Sequence, residues 1–297
     1  MIQAISAFFM SVWMLLSALP GAALHPKQNL LALEARWRIL AGGISMHQNT
    51  EYDIIIVAGQ SNAFGCGLGP VDDPFQPDDR IQQMPQGANL LGGYSIARAE
   101  EPIADGQPWA NLGLPFAREY IRAGLLQPGR KLLILQAAVG GTGFADKHWG
   151  LHDDLYQNML RMIETALALN PGNALKALLW HQGETDASFQ ASQETHTANL
   201  QGLVRDVRAR FGVPALPFIA GDFVEQWRLA NAEICAPVIA AMRAVCGSEG
   251  NAAFVETDGL LSNEEAIQNG DTIHFSRSAL YALGMRYFEA YQGIVTA

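Results

Sequence analysis

Asp53-Ile54-Ile55-Ile56-Val57-Ala58-Gly59-Gln60-Ser61-Asn62-Ala63-Phe64-Gly65 is a short apolar run, mostly β-branched, that stops at a glycine and leaves a serine on a turn. The run is too short for a buried helix and reads as a strand covered on both faces, the signature of a parallel sheet. Open parallel sheets place their ligands beyond the carboxyl ends of the strands, which is where Ser61 falls. Gly59 and Gly65 let the backbone bend sharply on either side. Such a strand-to-helix turn can lift a hydroxyl into a cleft with backbone N–H groups free to face an oxyanion. It can equally hold a loop serine that only caps the next element.

Downstream, apolar periodicity alternates between two periods. It predicts helices over 110–124, 153–170, 192–211 and 276–294, with a further helix inside 226–246. Strands are expected over 131–138, 174–180, 217–221 and 252–257. Strands separated by helices require a parallel sheet with helices on both faces, since each crossover must bury its apolar stripe. The stretch 68–109 is rich in Gly, Pro, Asp and Gln and has no sustained periodicity. We expect it to line or cover a site, as long loops in compact domains usually do. Its Asp72, Asp73, Asp78 and Asp79 lack the glycine and terminal glutamate of a calcium loop and read as a solvated face.

The 297 residues, 49% of them hydrophobic, can bury one large core, and a single α/β domain with extras is the simplest division. A formal net charge of −10 argues against nucleic acid or anionic lipid as partner, because phosphate binding needs a cationic face. Cys66, Cys235 and Cys246 have no metal-ligand spacing, and their odd number does not make a disulfide framework; no metal and no cofactor are expected.

Residues 2–24 carry no charged side chain and end in Ala18-Leu19-Pro20-Gly21-Ala22-Ala23, which resembles a signal-peptidase site. The expectation is export, secreted or periplasmic, with membrane contact only if this segment stays uncleaved. Residues 25–51 read as an amphipathic helix and linker with Leu30, Leu31, Leu33, Trp37 and Leu40 on one side, packed on a domain that covers 52–297.

The chemistry-bearing residues stand at the predicted strand ends. Val139-Gly140-Gly141-Thr142-Gly143 follows the second strand, and its glycines free the backbone to offer N–H groups to an anion; a plain tight turn is the competing reading. Trp180-His181-Gln182-Gly183-Glu184-Thr185-Asp186 follows the third. Gln182 could donate its amide to a developing charge, Glu184 reads as a support for the Ser61 loop, and His181 as a packed strand histidine. In Asp271-Thr272-Ile273-His274, an acid and an imidazole share a turn just before a helix. The carboxylate can take the Nδ1–H while Nε2 faces outward, or the Asp can simply stabilise the turn. Nucleophile, donor glycine, donor amide and acid–imidazole pair are together the parts of acyl transfer.

Taken as a set and in this order, Gly59-Gln60-Ser61-Asn62, Gly140-Gly141-Thr142, His181 to Asp186 and Asp271 to His274 resemble the blocks of the SGNH hydrolases. The likeness is to the sialate O-acetylesterase-like and acetylxylan-esterase-like carbohydrate esterases. That resemblance implies a flavodoxin-like three-layer α/β/α fold and metal-free removal of acetyl groups from a carbohydrate. It also implies Ser61 as nucleophile, His274 as general base and acid, and Asp271 as its orienting carboxylate. The oxyanion hole would be the N–H groups of Ser61 and Gly141 with the Gln182 amide. Two other classes remain open: a lipase or thioesterase of the same superfamily, and a non-catalytic carbohydrate-binding protein.

Overall fold

A computed structural model describes residues 26–44 and 50–296. The segment 2–24, for which export is expected, lies outside the described residues. The run that opens the sequence reading forms the central strand β1 (Glu51–Gly59), buried from Tyr52 onward. Its side chains alternate between two cores, as a pleated strand requires. Ile54, Ile56 and Ala58 join Tyr156, Met159, Leu200 and Met242 on one face. Ile55 and Val57 join Phe116, Leu280 and Tyr287 on the other.

The remaining strands are β2 (Ile81–Pro85), β3 (Ala97–Arg98), β4 (Ile103–Ala104), β5 (Gln107–Pro108), β6 (Arg130–Gln136), β7 (Ala174–His181), β8 (Phe218–Gly221) and β9 (Ala252–Val255). Seven of them make one sheet in the order β3-β2-β6-β1-β7-β8-β9, while β4 and β5 pair separately. All pairings in the large sheet are parallel except β2 with β3. The five strands from β6 to β9 run in the flavodoxin order, second-first-third-fourth-fifth along the chain. Connections therefore leave β1 in opposite directions and open a crevice at its carboxyl end. Helices α1 (Pro26–Ala41), α4 (Asp154–Ala168), α6 (Gln193–Arg210) and α8 (Ala232–Ser248) cover one face. Helices α3 (Gly113–Arg122) and α10 (Arg277–Thr296) cover the other, completing a three-layer α/β/α fold. Four short helices, α2 (Ser61–Phe64), α5 (Glu184–Ser188), α7 (Glu225–Ala230) and α9 (Asn263–Ile267), fill the loops.

Two expectations change. The stretch 68–109 is not one loop, because β2 pairs in register with β6 over Ile81–Pro85 and extends the sheet. Two central glutamines and a terminal proline hide the strand from any hydropathy pattern; β3 pairs with Gln82 and Gln83 alone, so Pro85 at the strand end has no ladder partner on that side. In α1 the packed side is not the leucine stripe: Leu30, Leu31 and Leu40 are exposed, whereas Ala35, Arg38 and Ile39 are buried. Arg38 faces inward because Glu164 and Thr165 of α4 both accept from its guanidinium, at 2.9 Å each. A buried cation is tolerated only with such partners, and periodicity of apolar residues cannot foresee them.

Three of the acidic residues of 72–79 are paired with arginines: Asp73 with Arg118 and Arg122, Asp78 with Arg80, Asp79 with Arg98. Among the described residues no cluster of His, Cys, Asp and Glu could hold a metal ion. Nor is any described helix long and apolar enough to cross a membrane.

Candidate active site

Ser61 is the first residue of α2 and is 8% exposed. The turn before it is possible only with glycine: Gly59 has φ of 129°, and a Cβ there would stand 2.1 Å from the His181 carbonyl oxygen. The chain continues with Gln60 N–H donating to the same carbonyl at 2.9 Å, which ties the end of β1 to the end of β7. The Gln60 side chain then accepts from Thr185 N at 3.1 Å, so the two strand-end loops are joined twice.

The glycine turn after β6 closes over Ser61 from the other side. A Cβ on Gly140 would lie 3.6 Å from the Ser61 Cβ, and Gly141 is exposed in the left-handed region at φ of 70°. The N–H groups of Ser61 and Gly141 make no hydrogen bond among the described residues. The turn is held rigidly around them. Thr142 Oγ1 donates to the Val139 carbonyl at 2.8 Å and accepts from Trp149 Nε1 at 3.0 Å, while Gly143 N donates to Asp146 at 2.8 Å.

The third component arrives from the far end of the chain. His274 Nδ1 lies 3.0 and 2.9 Å from the two Asp271 oxygens, and the His274 N–H donates to Asp271 at 3.2 Å. Both side chains are about a quarter exposed. With Nδ1–H given to the carboxylate, Nε2 is the free ring nitrogen. Burial opposes ionisation of Asp271, but hydrogen bonds from Asn263 and His274 outweigh it and hold the carboxyl below its usual range.

Asn62, fully buried beside Ser61, brings these parts together. Its Nδ2 donates to the Ile273 carbonyl at 3.1 Å and its Oδ1 accepts from Phe275 N at 3.1 Å, so both neighbours of His274 are bound to the residue after Ser61. Glu184 fixes Asn62 in turn, accepting from Nδ2 at 2.8 Å. Burial pushes the Glu184 carboxyl up. Asn263 performs a similar office for the acid: Nδ2 donates to Asp271 at 2.9 Å and the Cys66 carbonyl at 3.0 Å, and its N–H to the His274 carbonyl at 2.8 Å.

Gln182 lies at the end of β7 but is fully buried, and its Nε2 donates to Asp186, with Gln60 Oε1 a longer 3.4 Å away. His181 is packed as expected: Nδ1 meets the Tyr287 hydroxyl at 3.0 Å, and burial pushes its imidazole down to about 3, leaving it neutral. The Cys66 thiol is pushed up to about 12, by burial first and then by the Asp271 and Glu184 charges, so it is no nucleophile.

Three residues of the site carried no assigned role in the sequence: Asn62, Asn263 and Asp186. Asn62 adjoins the serine within the quoted block, which is a signal of sorts. Asn263 opens α9 behind a Ser262–Glu265 capping box that marks the helix start but not the side chain's target.

The family model described as carbohydrate esterase, sialic acid-specific acetylesterase, matches residues 51–293. The chain is 26% identical over 164 residues to a probable carbohydrate esterase of Arabidopsis thaliana, covering 53% of this chain and 54% of that protein. It thus spans about half the length of that relative. It is also 26% identical over 223 residues to a probable 9-O-acetyl-N-acetylneuraminic acid deacetylase of Escherichia coli (strain K12), covering 60% of this chain and 68% of the other. The crystal structure of NanS superposes with a TM-score of 0.68 at 19% identity, over 83% of this chain and 98% of that one, which is a likeness of fold.

Proposed function

We propose the reaction and its residues from one premise: this chain belongs to the sialic acid-specific acetylesterase family of carbohydrate esterases. The reaction is removal of an O-acetyl group from a carbohydrate through an acyl-enzyme on Ser61. Acetylated sialic acid is the first substrate to test, because the family model and the Escherichia coli relative are both named for it. Acetylated xylan is the second.

The observation that carries this reading is the pair of hydrogen bonds from Asn62 to the backbone of the two neighbours of His274, with Asp271 on the imidazole Nδ1. Asp271 is in contact with the imidazole and Asn62 ties the backbone on both sides of His274 to the residue after Ser61, which supports a serine–imidazole–carboxylate reading. His274 Nε2 takes the Ser61 proton as Oγ attacks the ester carbonyl. The resulting oxyanion is stabilised by the N–H groups of Ser61 and Gly141 and by the second amide hydrogen of Gln182, which among the described residues has only the Gln60 oxygen, 3.4 Å from Nε2, as a further acceptor. His274 then protonates the departing sugar hydroxyl. Water, deprotonated by the same nitrogen, attacks the acetyl-serine and releases acetate. Asp271 keeps the imidazole in the correct tautomer and stabilises its charged form.

Hydrolysis of p-nitrophenyl acetate by wild type and by Ser61→Ala, with chelator present, tests the reading. We expect activity that survives the chelator and is lost with the serine, and faster turnover of acetyl than of octanoyl esters. Undiminished activity in Ser61→Ala would remove the nucleophile assignment, and preference for octanoyl esters would move the protein to the lipases.

A further inference from the structure

We infer that Asp186 is a positioning residue for the oxyanion donors, acting through Gln182; the inference rests on the reading just proposed. Asp186 sits on α5, is 1% exposed, and is a carboxylate that the proposed chemistry does not touch. Its oxygens accept three N–H bonds. Two come from the loop after β6, Phe144 N at 3.1 Å and Ala145 N at 2.8 Å, and the third from the Gln182 amide at the end of β7. One side chain therefore holds in a single frame the two loops that carry Gly141 and Gln182.

The fit leaves no slack. A Cβ on Gly143 would stand 2.4 Å from an Asp186 oxygen and 2.9 Å from Gln182 Nε2, so only glycine admits this approach. From α6, His196 faces Asp186 with its Nδ1 4.0 Å away, beyond a hydrogen bond. Among the described residues both His196 nitrogens are buried without a hydrogen-bond partner, and burial pushes the imidazole down. The carboxylate is thus answered by N–H dipoles and not by a cation.

What Asp186 decides is the direction of an amide. Among the described residues Gln182 Oε1 is buried without a hydrogen-bond partner, so none of them holds the side chain in its present sense through that oxygen. A carboxylate accepts from Nε2 and repels Oε1. The two senses differ in what they present: an N–H favours a developing oxyanion and a carbonyl oxygen opposes it. Asp186→Asn keeps one acceptor oxygen but sets its NH2 against either Ala145 N or the Phe144 and Gln182 donors, so the preference for one sense is weakened.

The test is a cycle of Asp186→Asn, Gln182→Ala and the double variant in the full chain, read as kcat and KM for p-nitrophenyl acetate, with Ser61→Ala alongside. We expect kcat to fall about 10- to 100-fold in Asp186→Asn with KM within about threefold, and little further loss when it is added to Gln182→Ala. Losses that multiply, or an unchanged kcat, overturn the inference while leaving the serine reading in place. Activity retained in Ser61→Ala overturns both. Should Asp186→Asn fail to fold, the wild type itself decides: selectively 15N-labelled glutamine side chains would show a Gln182 amide with slowed hydrogen exchange, assigned by its absence in Gln182→Ala. Exchange at the rate of an exposed glutamine would overturn the inference.

Discussion

The two walls that meet at Ser61 are secured by opposite chemistry. On the imidazole side the fastenings are neutral amides: Asn62 grips both neighbours of His274, and Asn263 grips Asp271. On the glycine side they are carboxylates: Asp146 takes Gly143 N, and Asp186 takes Phe144 N, Ala145 N and Gln182. The difference follows from what each wall does in the proposed cycle. An imidazole that gains and loses a proton is best held through its backbone by neutral groups, with Asp271 the carboxylate in contact with the ring. A wall that keeps its charge throughout can use the stronger, charge-assisted bonds of a carboxylate.

Three substitutions on the imidazole side would break or sharpen that contrast. The largest effect is expected from Asp271→Asn, which leaves the turn in place but offers an amide where Nδ1–H needs an acceptor. Turnover should fall about a thousandfold or more, and a loss under tenfold would mean the carboxylate does not orient the ring. Asn62→Ala comes next. It frees both flanks of His274, and displacement on the order of 1 Å is enough to cost about a hundredfold in kcat. Because it also strips Glu184 of its hydrogen bond, stability must be followed by thermal unfolding; adding Glu184→Gln should restore stability and leave turnover low.

Glu184→Gln alone should have the smallest effect on turnover, within about fivefold, since a glutamine oxygen can still accept from Asn62. Its signature lies in stability against pH. Burial raises the Glu184 carboxyl, so the folded state prefers it protonated. The stability this lends is complete below the ordinary value of 4.5 and is lost as pH rises through the folded value. The glutamine variant has no such loss and should gain on the wild type as pH rises. Parallel unfolding curves between pH 5 and 9 would contradict this.

The sheet and the order of its parts are legible in the sequence because they depend on local signals: the β-branched run of β1, the glycines after Gly59 and Gly140, the change from period 2 to period 3.6. Asp271 and His274 are legible as a pair because three residues of one turn join them. Asn62, Asn263 and Asp186 are not, because each owes its role to partners brought close only by the fold. The same limit explains α1, where Arg38 faces inward for the sake of Glu164 and Thr165. It explains β2 as well, whose Gln82 and Gln83 are strand residues only because β6 lies beside them.

The bonds from Asn62 to Ile273 and Phe275 bridge 211 and 213 positions of chain. Contacts so distant in sequence form only after the intervening strands have paired, since closing so large a loop is repaid by nothing local. The site is therefore among the last features to assemble. During refolding from denaturant, helical signal should return ahead of esterase activity, and activity will report on completion of the whole sheet.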